Sequence, residues 1–273
     1  VGWDRVDCYV GDIAEYRPLP ADARAVSDRV VLLVGDWNMG GQLLQHARGL
    51  VDAVCCDHAG VEVITALGHV ALPTLIWGVR PEWPWVDPTT ERDIDVLFIG
   101  STNPAIHARR NDWLLRLGEL ADRANVVIRS RLYGPAYREH MARAKLVFNH
   151  SVRGEANIRS YEGPVAGACV LNERGNVELP HVARPDVDFA AYDSTDLEHV
   201  VLGLLRDDER RLRIAAAGQA AVRAHTIEAH VADRVEAERH ALRRSEAQRS
   251  ERHRELHLVA LGRDAATARV LEV

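Results

Sequence analysis

Three residues in one short run, Asn157, Arg159 and Glu162, have the types and spacing for ligand chemistry. They lie in Glu155-Ala-Asn157-Ile-Arg159-Ser-Tyr161-Glu162-Gly-Pro164-Val-Ala-Gly167. An apolar segment, Lys145-Leu-Val-Phe-Asn-His150, precedes the run, and another, Ala168-Cys-Val-Leu171, follows it. That order spells strand, polar loop, short helix, strand. Pro164 suits a helix's first turn, where a missing N–H costs nothing, and Gly167 is placed to end the helix. Free N–H groups at a helix start, with an Arg beside them, suit an anion such as phosphate. A carboxylate one turn further on can accept hydrogen bonds from a diol such as ribose. The pattern therefore asks for a ligand with one anionic end and one sugar end.

The elements that must present this loop alternate between strand and helix. Ile94-Asp-Val-Leu-Phe-Ile99 reads as a strand and Gly100-Ser101-Thr-Asn103-Pro as its turn, with an amphipathic helix from Ile106 to Ala124. A strand at Val126–Ile128, a turn at Leu132-Tyr133-Gly134-Pro135, a helix from Tyr137 to Ala144 and a strand at Leu146–Phe148 lead into the run. Beyond it come short extended pieces at Val187–Phe189 and Ala191-Tyr192. A helix with a capping box at Ser194–Glu198 follows, then a second helix from Asp207 to about His225. Gly100, Ser101 and Asn103 are candidate phosphate or nucleotide contacts through loop N–H groups. Arg109 or Arg110 can add a charge, and the strand-end triplet Asn149-His150-Ser151 faces the same sheet edge.

Residues 1–85 read as part of a second such domain. Strands are expected at Val6–Val10, Arg29–Val34, Asp52–Cys56 and Leu72–Trp77, with helices after Gly41 and from Gly60 to Leu67. The continuous apolar run Val30-Val-Leu-Leu-Val34 is the kind that parallel sheets bury on both faces. Asp36, Asn38 and His58 follow strand ends, where ligands bind in open α/β sheets. Asp36 or His58 is therefore a candidate ligand contact or base. Between the halves, Gly78–Pro88 carries Pro81, Trp83, Pro84, Trp85 and Pro88, a stiff extended connector. The resulting division is 1–85, 86–226 and a charged helical tail over 227–273. The chain opens on Val1, so the first domain is expected to be incomplete.

Composition narrows the class. A net charge of −6 over 273 residues, with no basic domain, points away from nucleic acid. No apolar run approaches the ~20 residues that span a bilayer, and Cys8, Cys55, Cys56 and Cys169 lack metal spacing. They read as reduced core thiols of a cytoplasmic protein. Asp93-Ile-Asp95 and Asp186-Val-Asp188 could hold a divalent ion, but Asp93 and Asp95 open a strand, at the wrong end for a site. The thirteen histidines show no zinc spacing. Neither a Gly-x-Ser-x-Gly nor a Gly-x-Gly-x-x-Gly run occurs, against a serine hydrolase and a dehydrogenase.

The run Asn157-Ile-Arg159-Ser-Tyr161-Glu162-Gly-Pro-Val-Ala-Gly167 resembles the C-terminal domain of the CgeB-like glycosyltransferases. Their pattern reads N-x-R-x-F/Y-E-x-x-A-x-G, and they are relatives of the large retaining group with the GT-B fold. The match holds at Asn157, Arg159, Tyr161, Glu162 and Gly167, with Val165 where the family usually has Ala. The wider group's first Glu of a Glu-x7-Glu pair would fall on Gly154; Glu155 is one place off. The resemblance covers roughly residues 28–230. It implies an α/β fold of two Rossmann-like domains in a GT-B arrangement, and transfer of a sugar from a nucleotide-diphosphate sugar to an unassigned acceptor. No metal and no resident cofactor are expected, the nucleotide sugar being the donor substrate. Asn157, Arg159, Tyr161 and Glu162 would contact the donor, as would Tyr133 and Gly134 at a Tyr-Gly turn; Asn149, at its strand end, is a further candidate contact. Arg159 would stabilise the departing diphosphate, with Asp36 or His58 opposite. Two alternatives remain: a non-catalytic module that binds a sugar nucleotide or a partner, and a sugar-nucleotide epimerase of the same fold. The oligomeric state is left open.

Overall fold

A computed structural model describes residues 9–11, 17–20 and 22–230. The residues before Tyr9 in the first expected strand, Cys8 among them, and the tail from 231 onward lie outside the described residues. The first sheet contains β1 (Tyr9–Gly11), β2 (Val30–Val34), β3 (Ala53–Cys56) and β4 (Ala71–Pro73). The helices α1 (Ala23–Val26), α2 (Gly41–His46) and α3 (Val61–Ala66) connect them. The second sheet contains β5 (Ile94–Ile99), β6 (Val126–Arg129), β7 (Ala144–Phe148), β8 (Cys169–Glu173) and β9 (Ala190–Tyr192). Its helices are α4 (Pro104–Gly118), α5 (Gly134–Arg143), α6 (Arg159–Val165), α7 (Leu197–Arg206) and α8 (Asp208–Val222).

Every pairing is parallel, in the orders β1-β2-β3-β4 and β6-β5-β7-β8-β9. Burial explains the apolar runs: Val30, Val31, Leu32 and Val34 on β2 and all of β3 are buried. In the second sheet the chain runs from β5 out to β6, then crosses back to β7 on β5's other side. The connections after β5 and β7 therefore diverge and leave a crevice beyond the strands' carboxyl ends. Leu197, Val201 and Leu204 form the buried stripe of α7, spaced as a helix on a sheet requires. No helix among the described residues is long and apolar enough to cross a membrane.

Several local expectations shift. The helix after Asn103 ends at Gly118, and the residues up to Arg123 form turns. Ala144 belongs to β7, not to the preceding helix. The strand near Leu72 stops at Pro73, because Leu75 and Trp77 pack instead among Tyr161, Val165 and Val222 of the second half. Before α7 there is no Ser194–Glu198 capping box; Asp193 accepts from the Thr195 N–H and Asp196 from the Asp193 N–H. Pro164 lies inside α6 rather than in its first turn, and its carbonyl accepts from Gly167 N and from Gln219 Nε2.

The two sheets are joined by side chains as well as by the connector. Arg153, in the loop after β7, donates to Asp36 Oδ1 and Asn38 Oδ1 at 3.0 Å and to the Gly35 carbonyl at 2.6 Å. It also reaches buried Asp57 at 3.4 Å. Burial raises the Asp57 pKa, and the Trp37 hydrogen bond and the Arg153 charge act against that shift. A second joint pairs His58 Nδ1 with Glu178 Oε1 at 3.1 Å, with His181 stacked on the His58 ring at 4.1 Å. The chain also returns after α8: Val79 N donates to His225 O and Ile227 N to Val79 O.

Gly167 ends α6 and seats the connector. Its φ is +70°, and a Cβ there would lie 2.5 Å from the Val86 carbonyl oxygen and 3.0 Å from Pro88 N. A left-handed backbone costs an L residue about 1–2 kcal/mol, and overpacking against backbone adds about 1–3 kcal/mol. Gly167→Ala should therefore destabilise the protein by roughly 2 kcal/mol or more. Urea denaturation should show a lower midpoint with an unchanged slope.

Candidate functional site

The crevice beyond β5 and β7 is the candidate site. It is an open cleft of about 980 Å³, and Gly100, Ser101, Asn103, Tyr133, Gly134, Arg159 and Glu162 all line it. The fold thus brings seven of the sequence candidates to one place.

Arg159 opens α6 and is buried. Its Nε donates to the Ile99 carbonyl at 3.1 Å and its Nη1 to Asn149 Oδ1 at 2.6 Å, which ties the ends of β5 and β7 together. The guanidinium lies 4.9 Å from the centre of the Phe98 ring. Nη2 is left beside Gly100, where a Cβ would sit 2.7 Å away. Glycine at 100 is what lets the guanidinium reach the cleft floor. Arg110 approaches the same Phe98 ring from α4 at 5.8 Å and donates to the His150 carbonyl. Burial, then the nearby Arg159 charge, pulls its pKa down to about 10. Arg109, the other candidate, is exposed.

At the start of α6 the N–H groups of Arg159 and Ser160 are not free for an anion, contrary to the sequence reading. Asn157 takes both: its side-chain oxygen accepts from Arg159 N at 3.1 Å and its carbonyl from Ser160 N at 2.9 Å. Asn157 therefore closes the turn that leads into α6, whose N-cap is Ile158. In the β5–α4 loop, Gly100 N donates to the Arg129 carbonyl and Asn103 N to Ser101 Oγ, while Asn103 Oδ1 caps α4. The N–H groups of Ser101 and Thr102 donate to no described residue and border the cleft.

Glu162, one turn into α6, is the carboxylate of the cleft. The Tyr137 hydroxyl on α5 donates to its Oε2. Burial raises the Glu162 pKa; that hydrogen bond and the charges of Arg159 and Arg80 oppose the rise. Tyr133 stands at the lip, 78% exposed.

Two expected ligand contacts are corrected. Tyr161 is fully buried among Val79, Val165 and Val222, so its ring belongs to the packing between connector and α6. Asn149 is equally buried: its Nδ2 donates to Asn172 Oδ1 at 2.7 Å and to Ser160 Oγ at 3.1 Å, which aims its oxygen at Arg159. His150 points its Nδ1 at the Tyr192 hydroxyl, 2.9 Å away, which itself donates to the Asn149 carbonyl. Nδ1 must then carry the proton, and burial pulls the ring's pKa to about 4, so His150 is a neutral strut. Ser151 is bound to Glu173.

On the opposite side, Asp36 and His58 serve the joints to Arg153 and Glu178. Glu155 accepts from Val152 N and Arg153 N, closing the turn that carries Arg153. Both Asp-x-Asp triplets are committed to ion pairs: Asp93 with Arg143, Asp95 with Lys145, Asp186 with Arg174 and Asp188 with Arg184. No cluster of three or more His, Cys, Asp or Glu side chains suited to a metal occurs among the described residues. Cys55, Cys56 and Cys169 are buried and form no disulfide among the described residues, and burial pushes the Cys56 and Cys169 thiols up to about 12.

Tyr137, Arg153, Glu178 and His107 were not singled out from sequence. His107 breaks α4 with φ −118° and ψ 28°, and its buried Nδ1 has no partner among the described residues. Pro135 was read as part of a turn and the helix as starting at Tyr137, but α5 starts at Gly134, and no local spacing signals that Tyr137 reaches across to α6.

No curated protein matches this sequence. Among solved structures, the chain is similar to the pneumococcal O-GlcNAc transferase GtfA in complex with UDP and GlcNAc. The TM-score is 0.52 at 9% identity, over 81% of this chain and 54% of that one. It is also similar to an α-glucosyltransferase in complex with UDP-glucose and DNA containing an abasic site, with TM-score 0.54, 10% identity and 77% and 72% coverage. With TarM the TM-score is 0.52 at 9% identity, over 77% and 50%. The chain thus spans about half the length of GtfA and of TarM. These likenesses show the fold, the two parallel α/β sheets of GT-B glycosyltransferase structures. A family model described as glycosyl transferase-like matches residues 72–237, more than half of the sequence, and the chain belongs to that family.

Proposed function

We propose that the protein is a CgeB-like glycosyltransferase that moves a sugar from a nucleotide-diphosphate sugar to an acceptor, without a metal or a resident cofactor. One observation carries the reading: a fixed guanidinium and a carboxylate, one helical turn apart, line the same cleft at the switch point of a parallel sheet. Arg159, with the N–H groups of Ser101 and Thr102, holds the diphosphate and stabilises the charge that grows on it as the sugar departs. Glu162 accepts hydrogen bonds from the ribose hydroxyls. GtfA and the α-glucosyltransferase were solved with UDP or UDP-glucose, which makes UDP the first nucleotide to test.

A second reading has its own observation. Glu155 is locked by two backbone N–H groups, so no carboxylate of this loop is left for the donor sugar. That favours a module which binds a sugar nucleotide without turnover. Hydrolysis of UDP-sugar by the purified protein rules the module out.

Three outcomes test the main reading. Arg159→Ala should weaken UDP binding by about 1.5–3 kcal/mol, the strength of a charge-assisted contact, and leave uridine nearly unaffected. Equal weakening of both would make Arg159 structural. Glu162→Gln should lose roughly tenfold in UDP affinity, about 1.4 kcal/mol. A 2′,3′-dideoxy analogue should bind the wild type weakly and ignore the substitution. Equal losses for the two ligands would remove Glu162 from the ribose. Chelation with EDTA should leave UDP affinity and turnover unchanged; activity lost and restored by Mn²⁺ or Mg²⁺ would overturn the cationic mechanism.

A further inference from the structure

The Tyr137–Glu162 pair stands out because it joins two helices at the wall of the cleft. Tyr137 comes from α5, Glu162 from α6, and the phenol donates to Oε2. Oε1 accepts no hydrogen bond from the described residues, and both side chains line the cleft. The same two side chains also line a second, apolar cavity of about 230 Å³ behind the cleft, with Trp83, Pro84, Val86 and Met141. The carboxylate is therefore placed between a polar cleft and an apolar hollow. A free carboxylate there has two costly choices: to turn toward the hollow or to take up a proton.

We infer that Tyr137 is the positioning residue of the nucleoside site: its hydroxyl occupies Oε2 and holds Glu162 ionised and turned outward, so that Oε1 alone receives the ribose diol. One carboxylate oxygen has two lone-pair directions, enough for two adjacent hydroxyls. The inference rests on the proposed ribose role of Glu162 and adds the residue that sets its rotamer and its charge.

The chemistry of the pair fits. The phenol is an acid far weaker than a carboxylic acid, and here burial and the Glu162 charge raise its pKa further, so the shared proton stays on the tyrosine. The groups facing Glu162 are Tyr137 on α5, Arg159 on α6 and Arg80 of the connector, with Arg138 and Glu139 around the hollow. Burial is the largest influence and raises the Glu162 pKa; the Tyr137 hydrogen bond is the next and lowers it. The sign follows directly. Ribose binding by the ionised carboxylate is present above the Glu162 pKa and is lost as pH falls through it. Removing the hydroxyl raises that pKa, so the loss must begin at higher pH.

Tyr137→Phe keeps the ring that separates cleft and hollow and deletes only the donor. The measurement is UDP affinity by calorimetry over a pH series, for wild type, Tyr137→Phe and Glu162→Gln, with 2′,3′-dideoxy-UDP as the reference ligand. Tyr137→Phe should lose about two- to tenfold in UDP affinity, most at the acid end, with its acid midpoint moved upward. Its affinity for the dideoxy analogue should equal that of the wild type, which also shows that the variant is folded. Glu162→Gln should flatten the acid limb. An unchanged midpoint in Tyr137→Phe, with Glu162→Gln still losing the ribose preference, overturns the inference alone. A ribose preference that survives Glu162→Gln overturns the ribose reading and the inference together.

Discussion

The site depends on one buried cation. The Arg159 guanidinium binds the Ile99 carbonyl at the end of β5 and Asn149 Oδ1 at the end of β7, the two strands between which the sheet reverses direction. Taking a guanidinium out of water costs several kcal/mol unless its donors are met. Here a carbonyl and a carboxamide each take one donor and the Phe98 ring lies against the group, and none of the three carries a negative charge. These contacts leave the positive charge to act on Glu162, one turn along α6, and on the cleft that both residues line. A carboxylate at either position would have neutralised it.

The surrounding polar residues follow from that constraint. Asn149 can present its oxygen to Arg159 only if its amide group is taken elsewhere, and Asn172 and Ser160 take it. Gly100 must lack a side chain, and Asn157 must close the start of α6 so that residue 159 is held at the strand ends. A second, separate set of charges joins the two sheets. Arg153 is turned away from the cleft and bonds to Asp36, Asn38, Gly35 and Asp57. Within a few residues the chain between β7 and the first turn of α6 therefore sends one arginine, Arg159, to the cleft and another, Arg153, to the sheet-to-sheet joint.

The fold was largely legible because parallel strands are buried on both faces, and runs such as Val30–Val34 and Ile94–Ile99 have no other good reading. The cleft was legible for a related reason: ligand loops follow strand ends, which picked out Gly100–Asn103, Tyr133, Arg159 and Glu162. What sequence could not reveal was direction. Tyr161 and Glu162 are neighbours on α6, yet a helix turns about 100° per residue, so one faces the core and the other the cleft. The same holds for Asp36 and His58. Their place at strand ends was readable, but their partners, Arg153 and Glu178, lie more than a hundred residues away in sequence. Pairing at that separation leaves no local spacing to detect.

The division between the halves has a consequence for how such a chain can vary. Every residue lining the cleft lies between Ile99 and Glu162, within the second sheet's own loops and helices. The first sheet reaches this region through Arg153 and Glu178, whose partners include the backbone Gly35 carbonyl and the N–H of His58. Backbone partners tolerate changes of side chain, so the loops after β2 and β3 can alter their exposed residues without disturbing Arg159 or Glu162. Asp57 is the exception. It is buried, accepts from Trp37 and the Gly60 N–H, and is the buried one of the two carboxylates, Asp36 and Asp57, that meet the Arg153 charge. Exposed positions such as Met39 are thus free of these joints, while buried Asp57 is held by them.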